Sequence, residues 1–257
     1  MRIAWNDILK LPETALADGR RVPKAQIVRQ GGLTKAQAKM LDRLNDITFF
    51  ASLGKSNSYI QPVKTDEYDI ESIVFLCIRL RTSAASSETL HVLHDCFPNP
   101  TVFLVEGSGD SKQIGLSVAI RRKSLSERGA FVTERVAGTG LFDPSKNGHS
   151  AFIDQISYSE LPQTTLLDYA SALADRCLVA STVETLGFYP RCKDDDAEEL
   201  MREVGRMRSI EARIGEMQRA RKSKDATLAE TTKLRVGIRK LETERDGVMR
   251  DIKELCL

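Results

Sequence analysis

The chain has few of the residues that chemistry-bearing proteins concentrate. Its 257 residues include three histidines, one tryptophan and five cysteines, and only 6% are aromatic. Cys77, Cys96, Cys177, Cys192 and Cys256 form no CxxC pair and are odd in number. Three sit among apolar neighbours, where a free thiol behaves as a small hydrophobe, so no disulfide framework is expected. No run approaches the roughly 18 uninterrupted apolar residues of a membrane span, and no apolar signal core precedes a small-residue cleavage site. A cytoplasmic protein with no membrane partner is the expectation. The net charge of +2, from 38 basic and 36 acidic residues, lacks the strong basic excess of a nucleic-acid-binding protein.

Catalytic motifs are equally sparse. There is no Gly-x-Ser-x-Gly elbow. Gly54-Lys55-Ser56 resembles the end of a phosphate-binding loop, yet the position five residues earlier that must be glycine is Phe49. Gly107-Ser108-Gly109 lies between two strands that read as antiparallel, whereas a dinucleotide fingerprint opens a helix after a parallel strand. Glu106 stands where a nuclease-type site places its first carboxylate, but Ala119-Ile120-Arg121 cannot supply the Glu-x-Lys of the next strand. His91 and His94, with Asp95 and Cys96 beside them, have the i, i+3 spacing that puts two metal ligands on one helix face. Two ligands do not make a site, and surface histidines near a helix C-terminus are the preferred reading. No catalytic residue, no metal site and no cofactor is expected.

What the sequence does contain is architecture, centred on residues 70–106. Residues 73–78 are apolar without a polar face, as in a strand buried on both sides. Residues 88–96 carry Leu90, Val92, Leu93 and Cys96 at helical spacing, and Pro98 and Pro100 stop that helix. Residues 101–105 form a second buried strand. Residues 113–121 return as the other arm of an antiparallel hairpin, and residues 129–136 alternate as a third strand. Upstream, Trp5 anchors a short apolar segment and Pro23 opens a helical turn. Thr34 caps a helix that carries its apolar face on to Ile47, and residues 47–52 read as a strand. Residues 54–58 read as a loop, residues 145–150 as a polar loop and residues 151–158 as a short strand or turn. Residues 164–179, capped by Thr164 or Thr165, form the last core helix.

The end of the chain changes character. The acidic run 193–199 suits a helix N-terminus, and no proline occurs between residues 200 and 255. Leu200, Val204, Met207, Ile210, Ile214 and Met217 recur at three- and four-residue steps. Leu234, Ile238, Leu241, Arg245, Val248, Ile252 and Leu255 then hold a strict heptad seam. The two seams are out of register across the polar residues 221–233, so the tail is either an interrupted coil or an antiparallel helical hairpin. Gly205, Gly215, Gly237 and Gly247 each weaken a helix by up to about 1 kcal/mol, so the seam needs something packed on it. The expected fold is α+β, or mixed α/β: a head over residues 1–186 with a mixed β-sheet flanked by helices, a linker at 187–193, and a coiled-coil or helical-hairpin tail at 194–257.

Arg21-Val22-Pro23-Lys24, then Leu33-Thr34, then the strand at 73–80, then the segment Pro98 to Leu104, in that order and spacing, resemble the bacterial family catalogued as domain of unknown function 4391. The charged tail around residues 234–241 is similar to that family's ending, although Phe49-Phe50 stands where the family pattern has tryptophan. The resemblance assigns no catalytic residue. It implies a setting beside helicases and DNA methyltransferases of restriction-like or anti-phage defence loci. The expectation is therefore a non-catalytic accessory protein. It docks a helicase or methyltransferase of its locus, or a second copy of itself as a homo-oligomer, through Leu234, Ile238, Leu241, Val248, Ile252 and Leu255. The alternative is DNA binding by a basic face of the head made of Arg20, Arg21, Lys24, Arg121, Arg122 and Lys123, with Arg128 and Arg135 nearby. A divergent nuclease using Glu106 is a third reading.

Overall fold

Two elements of the apolar pattern at residues 70–106 become the two parallel strands at the middle of a five-stranded sheet. The computed structural model describes residues 3–82, 87–108, 112–127, 129–191, 196–222 and 227–256. Its elements in chain order begin with α1 (Trp5–Leu9), α2 (Lys24–Gln30), α3 (Lys35–Met40), β1 (Leu44–Gly54) and α4 (Lys55–Ser58). Then come β2 (Val63–Lys64), β3 (Asp69–Ile70), β4 (Ser72–Leu80), α5 (Ser87–Asp95), β5 (Thr101–Glu106), β6 (Ile114–Lys123) and β7 (Phe131–Gly138). The chain continues through α6 (Asn147–Gln155), α7 (Leu166–Ala180) and α8 (Val183–Leu186) to the long helices α9 (Ala197–Arg221) and α10 (Leu228–Leu255). Its contacts divide it into two compact units, Met1–Ser181 and Thr182–Leu257. The short helix α8 therefore groups with the second unit, where the sequence reading had left residues 182–186 in the head.

In the first unit the sheet runs β1-β4-β5-β6-β7. Only β4 and β5 are parallel, joined through α5; every other neighbouring pair is antiparallel. A parallel pair needs a crossover and an antiparallel pair only a turn; α5 is the crossover that joins β4 to β5. One sheet face packs Leu76, Ile78, Phe103 and Val105 against Ile27 of α2 and Leu93 of α5. Each such side chain, fully buried, stabilises the fold by about 1.5–3 kcal/mol. The helix α7 packs on β6 and β7, with Leu166, Tyr169, Leu173 and Cys177 buried. Thr165 caps it by accepting from the Asp168 amide at 3.1 Å. Thr34 closes a capping box with Gln37 at the start of α3.

Three local expectations change. The helix expected to run to Ile47 ends at Met40, followed by a 3-10 turn at Leu41–Arg43. Leu44 and Ile47 enter β1 instead, because there they pair with Leu80 and Ile78 of β4; burial in the sheet outweighs helical periodicity. Residues 54–58, read as a loop, contain the single helical turn α4. The segment read as a loop and then a strand at 145–158 is mostly α6. Phe152 and Ile156, both fully buried, lie four residues apart and so on one helical face.

In the second unit the long helices α9 and α10 form an antiparallel hairpin. Arg206 of α9 pairs with Glu244 of α10 at 3.1 Å, and nearer the loop Met217 of α9 lies over Gly237 of α10, where a Cβ would collide with it. Gly237, counted from sequence as a weakness, is the gap that admits Met217. Of the alternatives left open, the chain forms the hairpin. Leu200, Val204, Met207, Ile210, Ile238, Leu241, Val248 and Ile252 are all buried. Among the described residues no helix is long and apolar enough to cross a membrane.

Candidate functional site

A cavity of about 430 Å³ opens in the first unit at the carboxyl ends of β4 and β5. That end of a parallel pair is where α/β sheets usually hold ligands. Leu80 and Val105 line it from the two strands, the amino-terminal half of α5 contributes Glu88 and His91, and β6 contributes Gly115 and Ser117. Gly115 is required by packing: a Cβ there would meet the Gly140 carbonyl oxygen at 2.5 Å. The opposing segment cannot retreat, because Ile114 and Phe142 exchange two backbone hydrogen bonds of 2.8 Å. Gly115→Ala is therefore expected to cost about 1–3 kcal/mol through overpacking, read as a lowered thermal midpoint. An unchanged midpoint would mean that the 140–142 segment yields freely.

Behind the cavity lies a fully buried polar relay. His94, near the end of α5, stacks on Phe103 of β5 with ring centroids 3.7 Å apart. Its Nε2 is 2.9 Å from the Ser117 hydroxyl on β6, and its Nδ1 hydrogen-bonds the Thr101 hydroxyl on β5. Desolvation holds the imidazole pKa well below the ordinary histidine value, and the fields of His91 and Arg121 push the same way. A neutral ring has one donor and one acceptor nitrogen, and two hydroxyls satisfy both. The arrangement has the outline of a serine–histidine dyad. The group orienting the histidine is a hydroxyl and not a carboxylate, so nothing offsets the positive charge a base would acquire there. What the relay can do is fix the Ser117 hydroxyl at the cavity wall. His94 is thus not the surface histidine that its spacing implied. The sequence did carry a signal: Ser117 falls inside the strand 114–120, whose other side chains are all apolar or absent, and a buried hydroxyl must find a partner.

The basic residues nominated for DNA do not form one face. Arg20 and Arg21 are exposed on a segment that bridges the outer side of β1, Arg21 opposite Thr48. Arg121, Arg122 and Lys123 lie on β6, four strand spacings away, or about 19 Å at ~4.8 Å each. Most are also occupied. Arg121 is buried; its Nη1 pairs with Asp95 at 3.2 Å and its Nη2 donates to the Phe131 carbonyl at 2.9 Å. Arg122 donates to the Lys123 carbonyl at 3.1 Å, and Lys123 donates to the Thr65 carbonyl at 2.6 Å. Lys24 donates to the Leu44 carbonyl at 2.5 Å, and partial burial lowers its pKa. Arg135 pairs with Asp175 at 2.7 Å. Arg128 lies outside the described residues.

Glu106, the carboxylate considered for a nuclease, is paired with Arg79 at 3.2 Å, and Arg79 also approaches Asp46 at 3.8 Å. Among the described residues no group of three or more side chains could hold a metal ion. Among the described residues, Cys77, Cys96, Cys177 and Cys256 form no disulfide. Burial, helped by Asp95, raises the Cys96 thiol to about 11, so it is an unreactive packing residue; Cys192 lies outside the described residues. In the tail, Ile238, Leu241, Val248 and Ile252 are buried and Leu234 and Leu255 half-buried, so this seam is not a free apolar stripe.

These features define a mixed α/β protein: a five-stranded mixed sheet flanked by helices, followed by a C-terminal region of two helices packed together. The chain belongs to the family described as domain of unknown function (DUF4391), whose model matches residues 9–244. Neither the curated proteins nor the solved structures provide a match.

Proposed function

We propose that the protein is a non-catalytic accessory module of a bacterial restriction-like or anti-phage defence locus. In this reading it acts in the cytoplasm and docks a helicase or DNA methyltransferase encoded beside it, or a second copy of itself, through its helical tail. The observation that carries the reading is the tail itself, a compact unit whose apolar seam closes inside its own hairpin. Its outward faces are left charged. The neutral histidine relay supports binding over catalysis, since the most catalytic-looking geometry in the head cannot accept a proton readily.

The test is size-exclusion chromatography with light scattering on the full chain, alone and co-expressed with the neighbouring helicase or methyltransferase. A complex with a neighbour, or a dimer of the chain, is expected, and disrupting the hairpin through Leu241 and Val248 should remove it. A monomer that co-elutes with neither neighbour overturns the proposal.

A further inference from the structure

The near-zero net charge of the chain conceals a strong separation of charge along the hairpin. At its loop end, residues 213–222 of α9 and 227–240 of α10 together carry eight lysines and arginines against two carboxylates, a net of +6. At the other end, residues 196–212 and 241–256 carry six cations against ten carboxylates, a net of −4. Folding back is what brings the two basic stretches together. Among the described residues the ion pairs of the tail, such as Arg206 with Glu203 and Glu244 and Arg202 with Glu199, all belong to the acidic end. None of the eight cations at the loop end is ion-paired to another described residue, and seven of them are exposed. One of the two carboxylates, Glu230, is committed to the α10 capping box, accepting from the Thr227 amide at 2.9 Å and hydroxyl at 2.8 Å.

We propose that this loop end of the hairpin binds the phosphate backbone of a double-stranded nucleic acid. Five of the eight cations are arginines, whose planar fork matches phosphate oxygens. No aromatic residue occurs from position 190 to the end of the chain, so the tail cannot stack unpaired bases as single-strand binders do. A backbone contact without stacking takes a duplex, with little sequence preference. The basic stretches extend about 15–20 Å along the helices at ~1.5 Å per residue. At about 100° per residue the cations spread over both flanks of the hairpin, so roughly half of them face a duplex at once. Neutralising about four phosphates gives a slope of log K against log salt near −3.6. The site is distinct from the protein-docking role, and failure of the partner test leaves it standing.

The experiment is fluorescence anisotropy with the full chain and labelled DNA and RNA duplexes of mixed sequence, together with the corresponding single strands. Duplex binding at low salt is expected, weakening on the order of a hundredfold between about 50 and 200 mM salt; the DNA and RNA arms identify which duplex is preferred. Arg235→Glu with Arg239→Glu, both exposed, should lower duplex affinity at least tenfold while the far-ultraviolet circular dichroism stays unchanged. The paired alanine variant should show a smaller loss. Arg20→Glu with Arg21→Glu in the head should have no effect. The proposal is overturned if no duplex binds at low salt, if single strands bind as tightly as duplexes, or if only the head variant removes binding. A tail that binds anionic lipid vesicles or an acidic protein but no duplex also overturns it.

Discussion

Aspartate at both Leu241 and Val248 is expected to unfold the tail hairpin of the full chain while the head remains folded. Both side chains are buried on α10, at 6% and 1% exposure. Each loses about 1.5–3 kcal/mol of apolar burial, and each new carboxylate must be desolvated without a partner, at several kcal/mol more. The sum exceeds about 6 kcal/mol, which is comparable to the whole stability of a typical domain. The readouts separate naturally. The one tryptophan, Trp5, is buried in the first unit, whereas α9 and α10 hold much of the helix. Helical circular dichroism should fall sharply while Trp5 emission keeps its folded value and melts at its original midpoint. If tryptophan and helix signals melt together at a lowered midpoint, the hairpin is part of the head's cooperative core and the two-unit description fails.

His94→Ala carries the second large effect. It deletes the ring stacked on Phe103 and strands the hydroxyls of Thr101 and Ser117. Cavity formation and two unsatisfied buried groups together cost about 3–5 kcal/mol. A pH arm distinguishes this relay from simple packing. The folded protein holds His94 neutral, while the unfolded chain takes up a proton near pH ~6.5. Below that pH the unfolded state binds more protons, so stability falls as pH drops, by up to about 1.4 kcal/mol per unit. Above it His94 contributes no pH dependence. Urea melts between pH 7 and 5 should show this acid-side loss in the wild type and a shallower one in His94→Gln. Equal slopes in the two proteins would show that His94 takes up a proton without unfolding, contrary to its buried, neutral setting.

The sequence determined which segments are strands and helices wherever the local pattern and the burial agree. Thr34 announced its helix, and the Thr164-Thr165 pair the start of α7, because a cap is a matter between residues three apart; the fold chose Thr165 of the two. The two buried strands flanking the helix at residues 88–96 were legible as strand, helix, strand; that they pair in parallel was decided by the sheet. The heptad from Leu234 to Leu255 likewise stated which side of α10 is apolar. It did not state what covers that side, since the same stripe packs against another chain or against α9. Only the folded hairpin decided it, with Met217 seated over Gly237. Tertiary structure also decided the roles of single polar residues. His94, Ser117 and Thr101 are far enough apart in the chain that no spacing links them, and burial of all three at one point makes them a relay. The charge of the tail follows the same logic. Summed along the chain it nearly vanishes, and the chain reversal between α9 and α10 sorts it into a basic and an acidic end. Periodicity records which face of an element avoids water; the identity of its neighbours is a property of the third dimension.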